Sequence, residues 1–404
     1  MNKKLVALAV AGVLSAPLAA QAQTANVTLY GRLNISMEGV QVRNQPEGTT
    51  EPWIYRLSSN SSRLGVRGTE SLGGGLNAIF QLESSVAGDA GGGTLAGRET
   101  FVGLQGGWGT VKLGNFLAPY DDIHPIFGNV PTLTTSILST ASLWAQGPIS
   151  KAQGGFDARL GNSVRYDSPN FSGFTGSFQF SQQTESQNRN GMVYSMGGYY
   201  NNGPWQAGLA YERNQNVRAS GVVDWGLSFA GGYNFGVVRL AGVYERLDYE
   251  AGGGHLKRDL YGISLTGNLG PGQGYFGWIR ANDGKGSAVD GTQVGGLVKG
   301  NSTASDEWVI SYTYPLSKRT LTYIGYVTIV NDDGARYTFN INPVMQSAAT
   351  GGLTGQGKPQ GLVGGIVHFC WEGRRFRPGL SDREGNIGRA PSRAPVFFRG
   401  FPDG

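Results

Sequence analysis

The chain has 404 residues, among them 67 glycines, one cysteine and 15% charged residues. A single cysteine excludes an internal disulfide framework. The net charge of +5 is no footprint of a nucleic-acid partner: Lys3 and Lys4 supply two of the five, and seven arginines against four acids beyond Cys370 supply the other three, so residues 23–370 are neutral and any charge selectivity must be local.

At the N-terminus, Met1–Lys4 is a short basic start, Leu5–Leu14 is an apolar run and Ala20-Gln21-Ala22 is a small-x-small cleavage signal. That order reads as a secretory signal peptide over residues 1–22, with a mature chain starting near Gln23. No later segment offers about eighteen uninterrupted apolar residues, since even Trp225–Tyr244 is broken by Ser228, Asn234 and Arg239. No spanning helix is expected, and a membrane-embedded form of this chain would be a barrel.

From Val27 to Phe369 apolar and polar residues alternate in recurring stretches. Val27, Leu29, Leu33, Ile35 and Met37 fall on one face of the first, and Thr28, Tyr30, Arg32, Asn34 and Ser36 on the other. A period of two means strands. Sixteen are predicted, starting near Val27, Trp53, Leu76, Arg98, Thr110, Asn162, Phe174, Met192, Trp205, Val222, Val238, Leu260, Tyr275, Glu307, Thr320 and Gly361. Tight turns at Glu70–Gly74, Gly106–Gly109, Ser168–Gly173, Asn201–Pro204, Phe235–Val237, Leu269–Gly272 and Pro315–Arg319 alternate with longer connections. The longer ones are predicted at Gly39–Pro52, Gly88–Gly97, Phe116–Gly161, Gln183–Asn190, Arg213–Gly221, Glu250–Lys257, Asp283–Ser302 and Asn331–Gln360. A soluble sandwich would have shorter strands and more evenly spaced turns. Short turns on one side and long loops on the other are the habit of outer-membrane barrels, and an even strand number lets the sheet close. The fold class is therefore all-β, a 16-stranded antiparallel transmembrane β-barrel occupying residues 23–370, wide enough for a water-filled lumen.

With the apolar phase facing lipid, a charge on that phase would cost about 2–4 kcal/mol at the midplane. Arg32, Arg63, Arg67 and Arg165 alternate against apolar neighbours and should point inward; the phase of Arg98 also carries Val102 and Leu104, which leaves its direction open. Aromatics such as Tyr199, Trp205, Tyr261, Tyr275, Trp308 and Tyr323 lie near strand ends or on the apolar phase, as interfacial girdles do. Material for catalysis is scarce. His124, His255 and His368 lie far apart with no metal-ligand spacing, Gly73-Gly74-Gly75 and Gly91-Gly92-Gly93 lack the Lys-Ser/Thr of a phosphate loop, and no Gly-x-Ser-x-Gly elbow stands on a strand-to-helix turn. A triad assembled from separate wall strands stays open as a minor alternative; no metal, cofactor or enzymatic activity is expected.

The stretches Leu29–Leu33, Ser62–Leu76, Ala78–Glu83, Phe101–Leu104 and Asn162–Pro169, taken in order, resemble the Gram-negative general diffusion porins of the beta-proteobacterial type over about residues 1–370. The resemblance implies homotrimers in the outer membrane, among lipid and lipopolysaccharide, that pass small hydrophilic solutes and ions and bind no nucleic acid. It implies that the third long connection, Phe116–Gly161, folds into the lumen. It also implies a basic ladder at the constriction from Arg32, Arg63, Arg98 and Arg165, with Arg67 a secondary lumen residue, opposed by acidic loop residues for which Asp121 and Asp122 are the nearest candidates. Four arginines against two aspartates give a weak anion preference. A substrate-specific channel and a barrel adhesin or receptor are the other function classes left open.

Leu362, Gly364, Ile366 and His368 keep the phase of the family's last strand, but Cys370 stands where that strand's terminal aromatic belongs. Residues 371–404, rich in Arg, Pro and Gly without alternation, read as a disordered tail. A frameshift or lost stop codon accounts for it more simply than a basic tail with a periplasmic partner.

Overall fold

A computed structural model of the chain describes residues 26–44, 50–128, 136–146, 151–186, 189–344 and 356–370. The signal peptide expected over 1–22 and the tail expected over 371–404 lie outside the described residues. The strands in chain order are β1 (Asn26–Arg43), β2 (Ile54–Ser59), β3 (Arg63–Gly73), β4 (Leu76–Ser85), β5 (Thr100–Gly106), β6 (Gly109–Leu117), β7 (Arg159–Asp167), β8 (Phe174–Ser186), β9 (Arg189–Asn202) and β10 (Trp205–Gln215). They continue as β11 (Val223–Asn234), β12 (Val238–Ala251), β13 (Gly254–Leu269), β14 (Gly272–Ala281), β15 (Gln293–Val294), β16 (Leu297–Val298), β17 (Ser305–Pro315), β18 (Thr320–Asn331) and β19 (Lys358–Cys370). All except the small β15–β16 hairpin belong to one antiparallel sheet, in which, apart from β2 and β3, each strand pairs with the next along the chain.

The sheet closes on itself. β1 pairs with β19 from Gly31↔Cys370 to Arg43↔Lys358, while its other edge takes β3 along Asn26–Arg32 and β2 along Ile35–Val40. β2 and β3 are thus one wall strand interrupted at residues 60–62, and the wall has sixteen strands. At the break Ser61 adopts φ 54°. Side chains replace part of the lost ladder there: Ser62 Oγ accepts from the Asn34 amide at 2.9 Å, and Asn60 Nδ2 donates to Ser36 Oγ at 2.7 Å. The interruption sets Arg63 at the first position of the resumed strand.

Two connections predicted as long are shorter. β12 and β13 stay paired out to Ala251↔Gly254, so Glu250–Lys257 is mostly ladder closed by Gly252 and Gly253 at φ 59° and 72°, the positive values that a two-residue hairpin demands. β8 and β9 likewise run on to Ser186↔Arg189 across a register shift between Gln182 and Thr184. Polar composition at these places marks strand ends that stand beyond the apolar band.

The alternation sorts side chains as its phase predicts. Leu29, Leu33 and Met37 of β1, Leu64 of β3, Phe80 and Leu82 of β4, and Val102 and Leu104 of β5 are exposed, whereas Tyr30, Arg32, Asn34, Ser36 and Glu38 are buried. The inner phase is not polar all round. Ala210, Ala230, Val243, Leu247, Leu260, Ile279, Val309 and Val327, on strands from β10 to β18, share a buried apolar cluster with Ile123, Phe127, Leu138, Leu143 and Trp144 of the connection between β6 and β7. Glycines make room for it: a Cβ on Gly208 would lie 2.5 Å from Ile123 Cγ2 and 2.9 Å from Ile126 Cδ1, and one on Gly325 would lie 2.7 Å from Leu138 Cδ1.

Overpacking of this kind costs about 1–3 kcal/mol. Gly208→Val should therefore lower the thermal unfolding midpoint of the folded barrel, whereas Gly198→Val, a position with nothing within 4 Å of its Cβ, should leave it unchanged; circular dichroism melts of the two variants check the difference.

Candidate functional site

Residues directly opposite in an antiparallel ladder share a face, and the β1–β3 register sets Arg32 opposite Arg63. Arg32 is 2% exposed. Glu83 stands on the same inner phase of β4. Its Oε2 lies 3.6 Å from Arg63 Nε and its Oε1 2.5 Å from Arg98 Nε, and it accepts the Tyr30 hydroxyl at 3.0 Å. Arg98 precedes β5, which begins at Thr100, so the strand phase that left its direction open does not apply to it. Its backbone amide bonds Glu83 O at 3.1 Å, which aims the side chain at the carboxylate. Burial, with Arg63 and then Arg159 as neighbours, pushes the Arg98 guanidinium down to about 10, still charged at neutral pH. Arg67, four residues along β3, lays its guanidinium over the Tyr30 ring at 5.1 Å. In this first knot Arg63 and Arg98 flank the Glu83 carboxylate, Arg32 faces Arg63 across the ladder and Arg159 is a charged neighbour of Arg98.

A second knot is balanced. Arg165 of β7 donates through Nε to Asp167 Oδ1 at 2.8 Å, through Nη1 to Leu117 O at 3.0 Å and through Nη2 to Asp122 Oδ2 at 2.5 Å. Lys112 of β6, its register partner, reaches Asp167 Oδ2 at 2.9 Å and lies 5.4 Å from the Phe101 and Phe116 ring centroids. Tyr199 donates to Asp122 at 3.3 Å and to Pro119 O at 2.8 Å.

Of the two aspartates predicted to oppose the arginines, Asp122 meets Arg165. Asp121 turns instead to His124, whose Nδ1 lies 3.3 Å from its Oδ1, and to Asp157. The ligand atoms of these three residues lie within 4.8 Å of one another. The cause is local: Asp121–Ile123 is a 3-10 turn running into a short helix over His124–Gly128, so adjacent aspartates point to different sides.

The connection that carries them is fastened to inner-phase side chains. Glu245 of β12 is the hub: it accepts the Tyr120 hydroxyl at 2.7 Å and the Ala145 amide at 3.0 Å and is paired with Arg258 of β13, which donates to Leu143 O at 2.7 Å. Trp144 Nε1 donates to Ser228 Oγ at 2.8 Å, Ser264 Oγ to Phe127 O at 2.7 Å, and Lys151 pairs with Glu212. Buried charges of this kind hold only because each has its partner.

Glu83, Lys112, Arg159 and Asp167 are absent from the sequence prediction. Three were within reach of it, since Glu83 follows Gln81 on the phase opposite Phe80 and Leu82, Lys112 falls between Val111 and Leu113, and Asp167 is two residues past Arg165. Arg159 and Asp157 carry no such signal, because they end a connection without period.

The model of the family described as Gram-negative porin matches residues 6–334. Outer membrane porin protein 32 of Delftia acidovorans is 29% identical over 380 residues, covering 91% of this chain and 99% of the relative. Major outer membrane protein P.IA of Neisseria meningitidis serogroup C is 33% identical over 273 residues, covering 60% of this chain and 62% of its own. Among solved structures, an anion-selective porin from Comamonas acidovorans superposes with a TM-score of 0.67 at 25% identity, over 85% of this chain and 99% of its own. OmpT of Vibrio cholerae in its trimer form gives a TM-score of 0.59 at 14% identity, covering 85% and 99%, a likeness of fold.

Removing the Glu83 charge should leave the arginines around it repelling one another. Glu83→Gln is expected to cost about 2–3 kcal/mol of stability, and raising the ionic strength should recover part of that by screening. Unfolding midpoints at low and high salt check it, a salt-independent loss contradicting the electrostatic reading.

Proposed function

The chain belongs to the Gram-negative porin family, and on that premise we propose that its two charge knots and the β6–β7 connection form the selective constriction of the pore. The protein is an outer-membrane diffusion channel for small hydrophilic solutes and ions, and it is not an enzyme. The observation that carries the proposal is the crowding of arginines at one place on the inner wall. Arg32, Arg63, Arg98 and Arg159 outnumber Glu83, while Arg165 and Lys112 are matched by Asp122 and Asp167.

The β6–β7 connection narrows the lumen because it is fixed to inner-phase residues of strands from β9 to β17. Water in the remaining gap lies between a cationic wall and this connection, and the resulting transverse field favours anions and turns dipolar solutes. Asp122, bound to Arg165, belongs to the acidic side of the constriction, with Asp121 beside it turned toward His124. Arg67, stacked on Tyr30, lines the lumen beside the ladder. The relative named as anion-selective has the same barrel, which agrees with this sign of preference. We propose further that the channel works as a homotrimer surrounded by outer-membrane lipid and lipopolysaccharide, that residues 1–22 are removed on export, and that residues 371–404 play no part in conduction.

The two knots should respond unequally to loss of one cation. Arg63→Ser removes one cation from the first knot and should move the zero-current potential under a salt gradient clearly toward cations. Arg165→Ser leaves Asp122 and Asp167 to Lys112 alone, which should move the potential the same way and also destabilise the connection. Planar-bilayer recordings of both variants check this, and an unmoved potential in Arg63→Ser contradicts the assignment of the wall.

A further inference from the structure

The connection after β18 turns back toward the inner wall as soon as it leaves the strand. Asn331, the last residue of β18, accepts the Tyr337 amide through Oδ1 at 3.2 Å and donates through Nδ2 to Tyr337 O at 2.8 Å and to Gly357 O at 2.7 Å. One side-chain amide, with its donor and acceptor side by side, thus holds both backbone groups of Tyr337 as a ladder partner would. Ala335, Tyr337 and Phe339 are buried in the apolar cluster that contains Leu138, Leu143 and Trp144 of the β6–β7 connection. The Tyr337 hydroxyl accepts from Arg258 Nη1 of β13 at 3.1 Å.

Beyond Phe339 the chain is bonded at two more places. The Asn340 backbone amide donates to Ser142 Oγ at 3.1 Å, and its Nδ2 donates to Asp157 Oδ2 at 3.1 Å, so one residue fastens this segment to the β6–β7 connection twice. Asn342 then adopts φ 51°, the left-handed region that asparagine tolerates, and forms a tip whose base is closed by Thr338 Oγ1 donating to Val344 O at 3.2 Å. Its Nδ2 donates to Glu38 Oε1 at 3.3 Å and to Asn60 Oδ1 at 3.0 Å. The Arg56 guanidinium donates to Asn342 O, to Pro343 O at 3.4 Å and, through Nε, to Glu38 Oε2 at 2.8 Å. Glu38 and Arg56 are register partners on β1 and β2, and Asn60 stands in the break between β2 and β3. The interruption of that wall strand therefore supplies part of the seat for the tip.

Arg258 and Glu38 are far apart around the barrel, since β14, β17, β18 and β19 stand between β13 and β1. Residues 335–344 join them as a chord, tied to the β6–β7 connection on the way. Glu38 lies six residues beyond Arg32 on β1, about 20 Å along the strand toward the long connections, so the chord sits on that side of the arginines. A segment bonded at one end could swing out among the external loops. One bonded to β13, to the constriction segment and to β1 and β2 takes up cross-section that a solute must pass around.

We propose that residues 335–344 are a strap across the external entrance of the pore, that the strap and the β6–β7 connection together set the size limit for solutes, and that Asn340 and Asn342 are its positioning residues. The inference rests on the porin reading above.

The test compares the full-length protein with two variants. In one, residues 335–344 are replaced by Gly-Gly; the other is Asn340→Ala/Asn342→Ala, which keeps Tyr337 and Phe339 in the apolar cluster and removes the side-chain bonds to Asp157, Glu38 and Asn60. Single-channel conductance in planar bilayers is measured in potassium chloride alone and with polyethylene glycols of increasing size, which lower conductance only while they can enter the lumen. The replacement should raise conductance roughly twofold and admit larger polymers, because pore width limits both. The double variant should show a smaller change in the same direction. If the replacement fails to fold, the double variant decides by the same two readouts. Conductance and polymer exclusion equal to the parent's overturn the strap even where the unfolding midpoint falls, since that result describes a segment that braces the barrel without narrowing it. A parent protein that forms no channel overturns the porin reading and the strap with it, whereas ohmic channels of equal conductance and exclusion in every folded protein overturn the strap alone.

Discussion

A strand inside hydrocarbon must find a partner for every backbone amide and carbonyl, because no water is there to take one. The closing ladder between β1 and β19 meets that demand, and much of the architecture depends on it. Once the sheet is closed it has two faces in two solvents, and every strand must divide its side chains between them. Leu33 and Met37 can face lipid only because Arg32, Asn34 and Ser36 on the same strand face inward. The charges that give the inner wall its sign are placed by the phase that keeps charge out of the bilayer.

Closure also creates an interior that must be partly filled if the channel is to be narrow. On the reading proposed here the β6–β7 connection fills it on one side: it shares a buried apolar cluster with inner-phase residues of strands from β10 to β18. Gly208 and Gly325 give the connection room, and Glu245 with Arg258 fixes it by hydrogen bonds to its backbone. The half of the wall formed by β1 and β3–β7 carries Arg32, Arg63, Glu83, Lys112 and Arg165: Arg63 pairs with Glu83, Lys112 with Asp167, and Arg165 with Asp167 and with Asp122 of the connection's first turn.

The barrel was legible in the sequence because a period of two is imposed by the strand itself and repeats in every wall segment. The inward direction of Arg32, Arg63 and Arg165 followed from the same period, as did the closing strand through Leu362, Gly364 and Ile366. Where the period ends, so did the reading. Arg98 lies two residues ahead of its strand and is aimed by a backbone hydrogen bond to Glu83. Asp121 and Asp122, adjacent in sequence, are sent to different partners by a single 3-10 turn. The break at Ser61 and the ladder running through Glu250–Lys257 depend on individual backbone angles and side-chain bonds. The partnership of Asp157 with Asp121 depends on the path of the whole connection, which no local pattern encodes.

The central claim is that the arginines gathered around Glu83 on the inner wall make this porin favour anions. The measurement that bears on it most directly is the zero-current potential of the unmodified protein in a planar bilayer across a potassium chloride gradient at neutral pH. An ohmic, water-filled channel whose potential lies on the chloride side, with the preference shrinking as salt concentration rises, is the predicted result. A potential on the potassium side contradicts the account.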